Sequence, residues 1–327
     1  MDIKKENQGK VEEYRQSLQQ AVQKQDEHCY AIAINIDCSI LVAGCDSYIK
    51  VFEFNQGILK QVQLLNEHKY SIFTLNFMKR SNKFISGSND NSIIIWERNI
   101  NDLWICQQKL TGHTSSVYCL ILNNNEDVIA SGSRDNSIRF WVKQNLWKCT
   151  QTITDHNSVV YGLSLNEQQN RVISCGEDKL ILVIEQKEIK KKWQVIQKIQ
   201  VDQFGFRICF IDNDIFTFQP YENEQMIIFE MNKTNQFYIK TKDIQVKGGS
   251  DYCLFPQQYI KQKSILVNKY ASNLNLIKMK QNGEFIIEQS IEFKTSDLYG
   301  CISDDGQYLI TWDHEQKEYQ VRKHMEK

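Results

Sequence analysis

A histidine, an acid and an indole recur at fixed intervals in this chain. His68, Asp90 and Trp96 are followed by His113, Asp135 and Trp141, and then by His156, Asp178 and Ile184. In every set the acid stands six residues before the Trp position and the His stands 28 before it. The first two sets are 45 residues apart, and the third begins 43 further on. A period of that size, kept through consecutive units, marks stacked copies of one supersecondary element.

The unit from Gly112 to Ile153 shows what that element is. Segments 117–122, 128–131, 137–141 and 147–153 read as short strands, partly alternating and partly continuous in apolar residues. Continuous apolar runs suit strands covered on both faces. Turns at 123–126, 132–136 and 143–145 are rich in Asn, Asp, Gly and Ser, residues that tolerate tight reversal. Four antiparallel strands in about 44 residues make a sheet too small to cover its own faces, so neighbouring copies must cover them.

Weaker copies extend the series. Upstream, 30–54 places Asp46 six residues before Phe52, which takes the Trp position. Downstream, Phe229 falls 45 residues after Ile184 with no acid at the expected distance. Further copies span 252–279 and 298–321, which makes seven units, the last with three strands. The missing strand is assigned to 17–24, because the run ending at His28 sits where LWKCTQTITDH and LWICQQKLTGH precede other units. Pairing the two chain ends closes a ring. A helix is the competing reading of that Gln-rich run. A linear solenoid would carry capping repeats, and a two-sheet sandwich has no reason to keep the period.

The expected fold is all-β: a seven-bladed β-propeller of four-stranded antiparallel blades, closed by an N-terminal strand. Residues 1–13 form a flexible arm, 14–323 one propeller domain and 324–327 a tail. Blade cores fall at 30–66, 70–110, 115–153, 158–200, 206–245, 252–292 and 298–322.

The repeated residues also carry a family resemblance. GHTSSVYCLILNNNEDVIASGSRDNSIRFW (112–141) and HKYSIFTLNFMKRSNKFISGSNDNSIIIW (68–96) resemble WD repeats of the G-protein beta-subunit type. DHNSVVYGLSLNEQQNRVISCGEDKLILVI (155–184) is similar, and beyond residue 200 the resemblance rests on period and strand rhythm. It implies a hydrogen-bonded tetrad within a blade: His68, Ser86, Asp90 and Trp96, then His113, Ser131, Asp135 and Trp141. A third set, His156, Ser174 and Asp178, lacks the indole. An Asp in a tight turn can accept from an imidazole N–H, and a Ser hydroxyl can join the imidazole to the indole N–H. Buried together, these groups fix register only if each is satisfied. The later units lose these residues, which predicts that packing rather than a polar network holds the second half together.

The same resemblance implies that residues just before the structural Asp, and about two after the His, surround the central opening. These are Cys45, Asn89, Arg134 and Glu177, with Tyr70, Ser115 and Ser158. They form the candidate partner-binding face, where Tyr and Arg are strong contact residues. A local Arg134–Glu177 ion pair of little energetic weight is the alternative.

Composition narrows the function. With 39 basic and 40 acidic residues the net charge is -1, so no global field draws in nucleic acid or an anionic membrane. KEIKKK at 187–192 reads as a solvated hairpin tip, without the interleaved aromatics of a nucleic-acid groove. Ten Cys without metal-ligand spacing and no signal-like start suit a reducing intracellular setting, cytoplasmic first, with nuclear or ciliary as alternatives. No apolar run reaches the roughly 18 residues of a membrane helix. Cys29, Cys38 and Cys45 make no zinc-like cluster, and HExxH and phosphate-binding GxxxxGK[ST] motifs are absent, so neither metal nor cofactor is expected. The His–Ser–Asp sets invite a nucleophile reading, but a buried Ser tied to an indole is badly placed to meet a substrate.

The expected function is a non-enzymatic scaffold that presents loops to protein partners in a multiprotein complex, the propeller itself being monomeric. Recognition of a modified or phosphorylated peptide is one alternative; it would need several basic residues around the opening, and Arg134 alone is visible in the strong repeats. An RNA-binding or structural subunit of a large assembly is the other.

Overall fold

The computed structural model describes residues 12–16, 25–188, 191–249 and 255–326. Seven four-stranded antiparallel sheets follow one another around a common axis. Blade 3 sets the pattern, with Val117–Leu122 innermost, then Val128–Ser133, Ile138–Lys143 and the rim strand Trp147–Ile153. Blades 1, 2, 4, 5 and 6 repeat it, their inner strands being Cys29–Ile34, Ile72–Phe77, Val160–Leu165, Arg207–Phe210 and Gln258–Ile260.

Local chemistry sets the strand ends. Asn123 Oδ1 accepts from the N–H of Asp127 at 3.1 Å and of Val128 at 3.0 Å, which closes the first turn of blade 3. Asn35 and Asn166 close the same turn in blades 1 and 4. These are Asx turns, in which the side chain replaces a backbone partner. The next hairpin needs a left-handed residue, and Asn91, Asn136 and Lys179 supply it at φ 66°, 66° and 61°.

The core lies between blades rather than within them. Trp96 and Phe84 of blade 2 pack with Val42 and Val51 of blade 1, whereas Ile93 and Ile95 pack with Leu120 and Trp141 of blade 3. Each strand thus presents one face to the preceding blade and the other to the following one, as the period-two alternation of side chains requires. Seven such apolar clusters fill the seven interfaces, the last joining Trp312 and Tyr319 of blade 7 to Phe52 of blade 1. Small residues let the inner strands approach. A Cβ on Gly87 would sit 2.8 Å from Val117 Cγ1, and one on Gly132 would sit 2.7 Å from Val160 Cγ1.

Blade 7 takes Leu298–Ile302, Tyr308–Asp313 and Glu318–Glu326 from the C-terminal end and its rim strand, Glu12–Gln16, from the N-terminal end. Tyr14 stands opposite His324 in that pairing. The segment 17–24, to which the sequence reading assigned this strand, lies outside the described residues. Glu12 and Glu13, placed in the arm, belong to the strand, and His324 to Glu326, placed in the tail, pair with it.

The second half holds a polar network that the sequence reading replaced with packing alone. Thr217 donates to Gln257 Oε1 at 3.0 Å, Gln257 to Asn268 Oδ1 at 2.8 Å, and Asn268 to Gln219 Oε1 at 2.9 Å. All four residues are buried. The first and last belong to blade 5 and the middle two to blade 6, so the network crosses an interface instead of staying within one blade. Beside it the buried Arg207 of blade 5 donates to the Phe255 carbonyl at 2.7 Å.

Candidate functional site

In blade 2 the Trp96 indole donates to Ser86 Oγ at 2.8 Å, Ser86 Oγ lies 2.7 Å from His68 Nε2, and His68 Nδ1 lies 3.0 Å from Asp90 Oδ2. Blade 3 repeats the chain through Trp141, Ser131, His113 and Asp135 at 2.9, 2.7 and 2.8 Å. An indole N–H can only donate and a carboxylate can only accept, so Ser Oγ accepts from the Trp and the His Nδ1–H faces the Asp. Blade 4 keeps Ser174 at 2.8 Å and Asp178 at 2.9 Å from His156, with the buried Ile184 in the indole's place. Burial alone would raise the Asp90 carboxyl; the bonds from His68 and Ser92 outweigh it and hold the group well below the usual carboxylate range. Asp135 is lowered the same way, against burial, by His113 and Ser137, and Asp178 by His156 and the Asn157 N–H. Ser86, Ser131 and Ser174 have no solvent exposure, so these sets join strands and do not face a substrate.

The surface facing the axis is different. In blades 1 to 4 the inner strand carries a bulge in which Tyr30, Phe73, Tyr118 and Tyr161 are the residues skipped by the register. A bulge re-aims the side chain it carries. Here it turns four half-buried rings onto a central cavity of about 390 Å³. They form a row, with ring centroids 5.5 Å apart for Tyr30–Phe73, 5.1 Å for Phe73–Tyr118 and 5.6 Å for Tyr118–Tyr161. Tyr161 continues to Phe206 at 4.7 Å, and Tyr30 to Tyr299 at 5.7 Å. This collar escaped the sequence reading, although a signal exists: Phe73, Tyr118 and Tyr161 each stand five residues after the tetrad His.

A second ring of residues sits above the collar, placed by one recurring backbone bond. The N–H groups of Asn89, Arg134 and Glu177 donate to the carbonyls of Ser71, Ser116 and Val159 at 2.8, 2.9 and 2.9 Å. The same bond in blade 1 runs from Asp46 to His28 at 2.9 Å, and in blade 7 from His314 to Asp297 at 3.0 Å. Asp46, not Cys45, is therefore the blade 1 member of this ring. Cys45 is fully buried, with its sulfur 3.4 Å from Tyr319 Oη, and cannot meet a partner. The displacement arises because the blade 1 hairpin is one residue shorter: Asp46 precedes Phe52 by six residues, whereas Asn89 precedes Trp96 by seven.

The remaining face residues are at the surface. Tyr70 is 60% exposed, Asn89, Arg134 and Glu177 are exposed, and Ser115 and Ser158 are half-buried. Ser158 donates to Glu177 at 2.6 Å, and Ser116 donates to Asn89. Arg134 and Glu177 make no ion pair among the described residues; Arg134 keeps its guanidinium free of side-chain hydrogen bonds there. Both lie within electrostatic reach of the collar, where burial, with Glu177 adding to it, pushes the Tyr161 hydroxyl up to about 12. Of the basic run, Lys187 ends the strand Leu180–Lys187 and pairs with Glu185 at 2.9 Å, and Lys192 opens the strand Lys192–Gln200.

Where blade 7 meets blade 1, the fold gathers His28, Asp297 and His314, whose ligand-type atoms all lie within 4.8 Å of one another. Burial lowers the pKa of His28, with His314 adding to the effect and Asp297 and Asp46 opposing it. No local motif announces this group, because its members come from opposite ends of the chain.

A ring of seven four-stranded sheets closed by strands from both chain ends defines a β-propeller. The family described as WD domain, G-beta repeat matches residues 59–97, 104–142 and 147–185. Residues 59–185 therefore carry WD40 repeats, set within a propeller of seven blades. Each matched segment runs from the rim strand of one blade through three strands of the next, so repeat and blade are out of phase, which is why the last sheet needs a strand from the other end. No curated protein matches the chain. WD40 propellers generally act as protein–protein interaction scaffolds and are typically non-catalytic.

Proposed function

We propose that this propeller is a non-enzymatic scaffold that holds a partner protein on the face where the aromatic collar opens. The observation that carries this reading is the collar itself. Four consecutive inner strands break their register to turn Tyr30, Phe73, Tyr118 and Tyr161 toward the axis. Rings left half-buried at a rigid mouth supply contact area at little entropic cost. Arg134, Glu177, Asn89 and Tyr70 surround them with polar and aromatic contacts of the kind that anchor interfaces. A standard interface of roughly 1,200–2,000 Å² in total would extend from this mouth over the neighbouring hairpins.

The charge around the opening bears on the competing reading. A phosphorylated peptide calls for converging basic groups, whereas Asp46 and Glu177 stand in the ring with Arg134, and Asp297 lies beside its blade 7 member, His314. The mouth suits an uncharged, aromatic or cationic side chain better, since aromatic faces attract cations.

Affinity purification of the tagged protein tests the proposal, with Arg134→Glu/Glu177→Lys and Tyr118→Ser variants run in parallel. Stoichiometric partners that are lost with both variants, while melting temperatures stay near that of the wild type, support it. Partners retained by both would place the interface on the rim or the opposite face.

A further inference from the structure

We propose that His28, Asp297 and His314 form a divalent transition-metal site, with zinc as its ion, that clasps blade 7 to blade 1. Two imidazoles and one carboxylate are the donor set of an open zinc site, in which water completes the coordination. Imidazole also selects against magnesium and calcium, which prefer oxygen.

The geometry is close to what the ion needs. Tetrahedral bonds of about 2.0–2.1 Å place ligand atoms about 3.4 Å apart, and His28 Nε2 already lies 3.8 Å from Asp297 Oδ1. With every ligand pair within 4.8 Å, closure takes a shift of at most about 1.5 Å between any two ligands, and about 0.5 Å between His28 and Asp297. His314 is the exposed member and can make the larger part of that shift.

The other two are held in place. Tyr299, itself buried, donates its hydroxyl to Asp297 Oδ1 at 3.1 Å, and the Asp297 N–H donates to Thr295 Oγ1 at 3.0 Å. His28 stacks on Tyr30 with ring centroids 4.3 Å apart. The backbone bond from His314 to Asp297, at 3.0 Å, ties together the two residues that bring ligands from blade 7. Outer contacts of this type orient metal ligands and fix their tautomers. On binding, His28 Nε2 gives up its contact with Tyr299 Oη, now 3.3 Å, and its proton moves to Nδ1, while Tyr299 keeps Asp297.

The ion would join His28 of the first blade to two residues of the last. The seam would then have a second closure beside the N-terminal strand.

The test uses the full chain, stripped by dialysis against a chelator. Zinc is titrated calorimetrically, and cobalt(II) serves as the spectroscopic probe. The expected result is one equivalent of zinc, a cobalt ligand-field band without thiolate charge transfer, and a melting temperature raised by zinc. His314→Ala, at an exposed turn, keeps the metal-free melting temperature, binds zinc at least about tenfold more weakly and loses the zinc-dependent rise. Asp297→Asn gives the same loss of the rise. Absence of stoichiometric binding by the wild type, unchanged affinity in His314→Ala, or a thiolate charge-transfer band that moves the ion to a cysteine such as Cys29 would each overturn the proposal.

Discussion

The side-chain amide of Gln108 grips the backbone of Trp147 with both ends: Nε2 donates to the Trp147 carbonyl and Oε1 accepts from its N–H, each at 2.9 Å. The two residues lie on the rim strands of neighbouring blades. Gln63 holds Trp104 in the same way, Gln197 holds Tyr238, and Gln289 of blade 6 holds Tyr14 of blade 7. Gln151 and Trp193 make a fifth clip among the described residues. A rim strand is a sheet edge, and its unpaired groups are a liability unless something covers them. The clip satisfies a donor and an acceptor at once and ties the blade that carries it to its neighbour. In blade 5, Lys242 stands at the Gln position, four residues after Tyr238, and turns instead to Glu230 at 3.5 Å.

Gln108→Ala should therefore cost about 2 kcal/mol, because it leaves a partly buried N–H and C=O without partners. Gln108→Glu should cost at least as much at neutral pH, since a carboxylate would face the Trp147 carbonyl, and should recover when acid protonates it. Urea denaturation of the three proteins at pH 7 and pH 5 measures both effects.

The tetrads predict a difference between blades. Ser131→Ala strands both the Trp141 indole and the His113 ring, two buried groups, at a cost of about 2–4 kcal/mol. Ser174→Ala in blade 4 strands His156 alone and should cost about half as much. Adding Trp141→Phe to Ser131→Ala should cost less than the sum of the single changes, because the indole has already lost its partner. Denaturation midpoints for the four variants decide it.

The lowered carboxyls of Asp90, Asp135 and Asp178 set a pH dependence. A carboxyl whose folded pKa lies below its unfolded value, about 3.9 for Asp, contributes its full stability above that value. The contribution is lost as pH falls from there toward the folded pKa, at up to about 1.4 kcal/mol per pH unit for each group. The melting temperature should therefore drop steeply below about pH 4. An Asp90→Asn/Asp135→Asn variant should be less stable at pH 7 and converge on the wild type in acid. Calorimetric scans from pH 7 to pH 2.5 follow both curves.

Blades 2 to 4 were legible because His68, Asp90 and Trp96, and their repeats, serve one local network whose spacing a single blade dictates. Cys45 was misplaced by one residue because a shorter hairpin leaves the strand pattern intact while shifting what lies at its tip. The described closing strand, Glu12–Gln16, has little apolar content apart from Tyr14, so periodicity gave it no boundary. Thr217, Gln219, Gln257 and Asn268 satisfy one another across two blades, and nothing in either blade alone announces that. His28, Asp297 and His314 become neighbours only once the ring is closed. The collar and the rim clips were readable, as an aromatic five residues after a tetrad His and a Gln four residues after a rim aromatic, such as Trp104 and Gln108.

Close approach of blades makes a further test possible at Gly87. An alanine Cβ there would sit 2.8 Å from Val117 Cγ1 and from Thr74 Cγ2, closer than packed atoms allow. Val117 opens the inner strand of the next blade and has no exposure, so it cannot swing aside. Gly87→Ala should cost about 1–3 kcal/mol through overpacking. Combining it with Val117→Ala should cost less than the two single changes together, since the second makes room for the first. A double-mutant cycle in urea reads the coupling directly.

Ring closure rests on Tyr14 more than on any other described residue of its strand. It is 3% exposed, its hydroxyl donates to the Gly306 carbonyl at 2.7 Å, and its ring meets His324 edge-on at 5.0 Å. Its N–H and C=O are both held by Gln289, at 2.8 and 3.2 Å. Tyr14→Phe removes the hydroxyl bond alone and should cost about 1 kcal/mol. Tyr14→Ala removes the buried ring as well, at about 3–5 kcal/mol, and releases the edge of Glu318–Glu326 to pair with other chains. Size-exclusion chromatography at rising concentration should show self-association of Tyr14→Ala and none of Tyr14→Phe. If both variants remain monomeric and equally stable, the seam is held by the apolar contacts of blades 7 and 1 and not by the N-terminal strand.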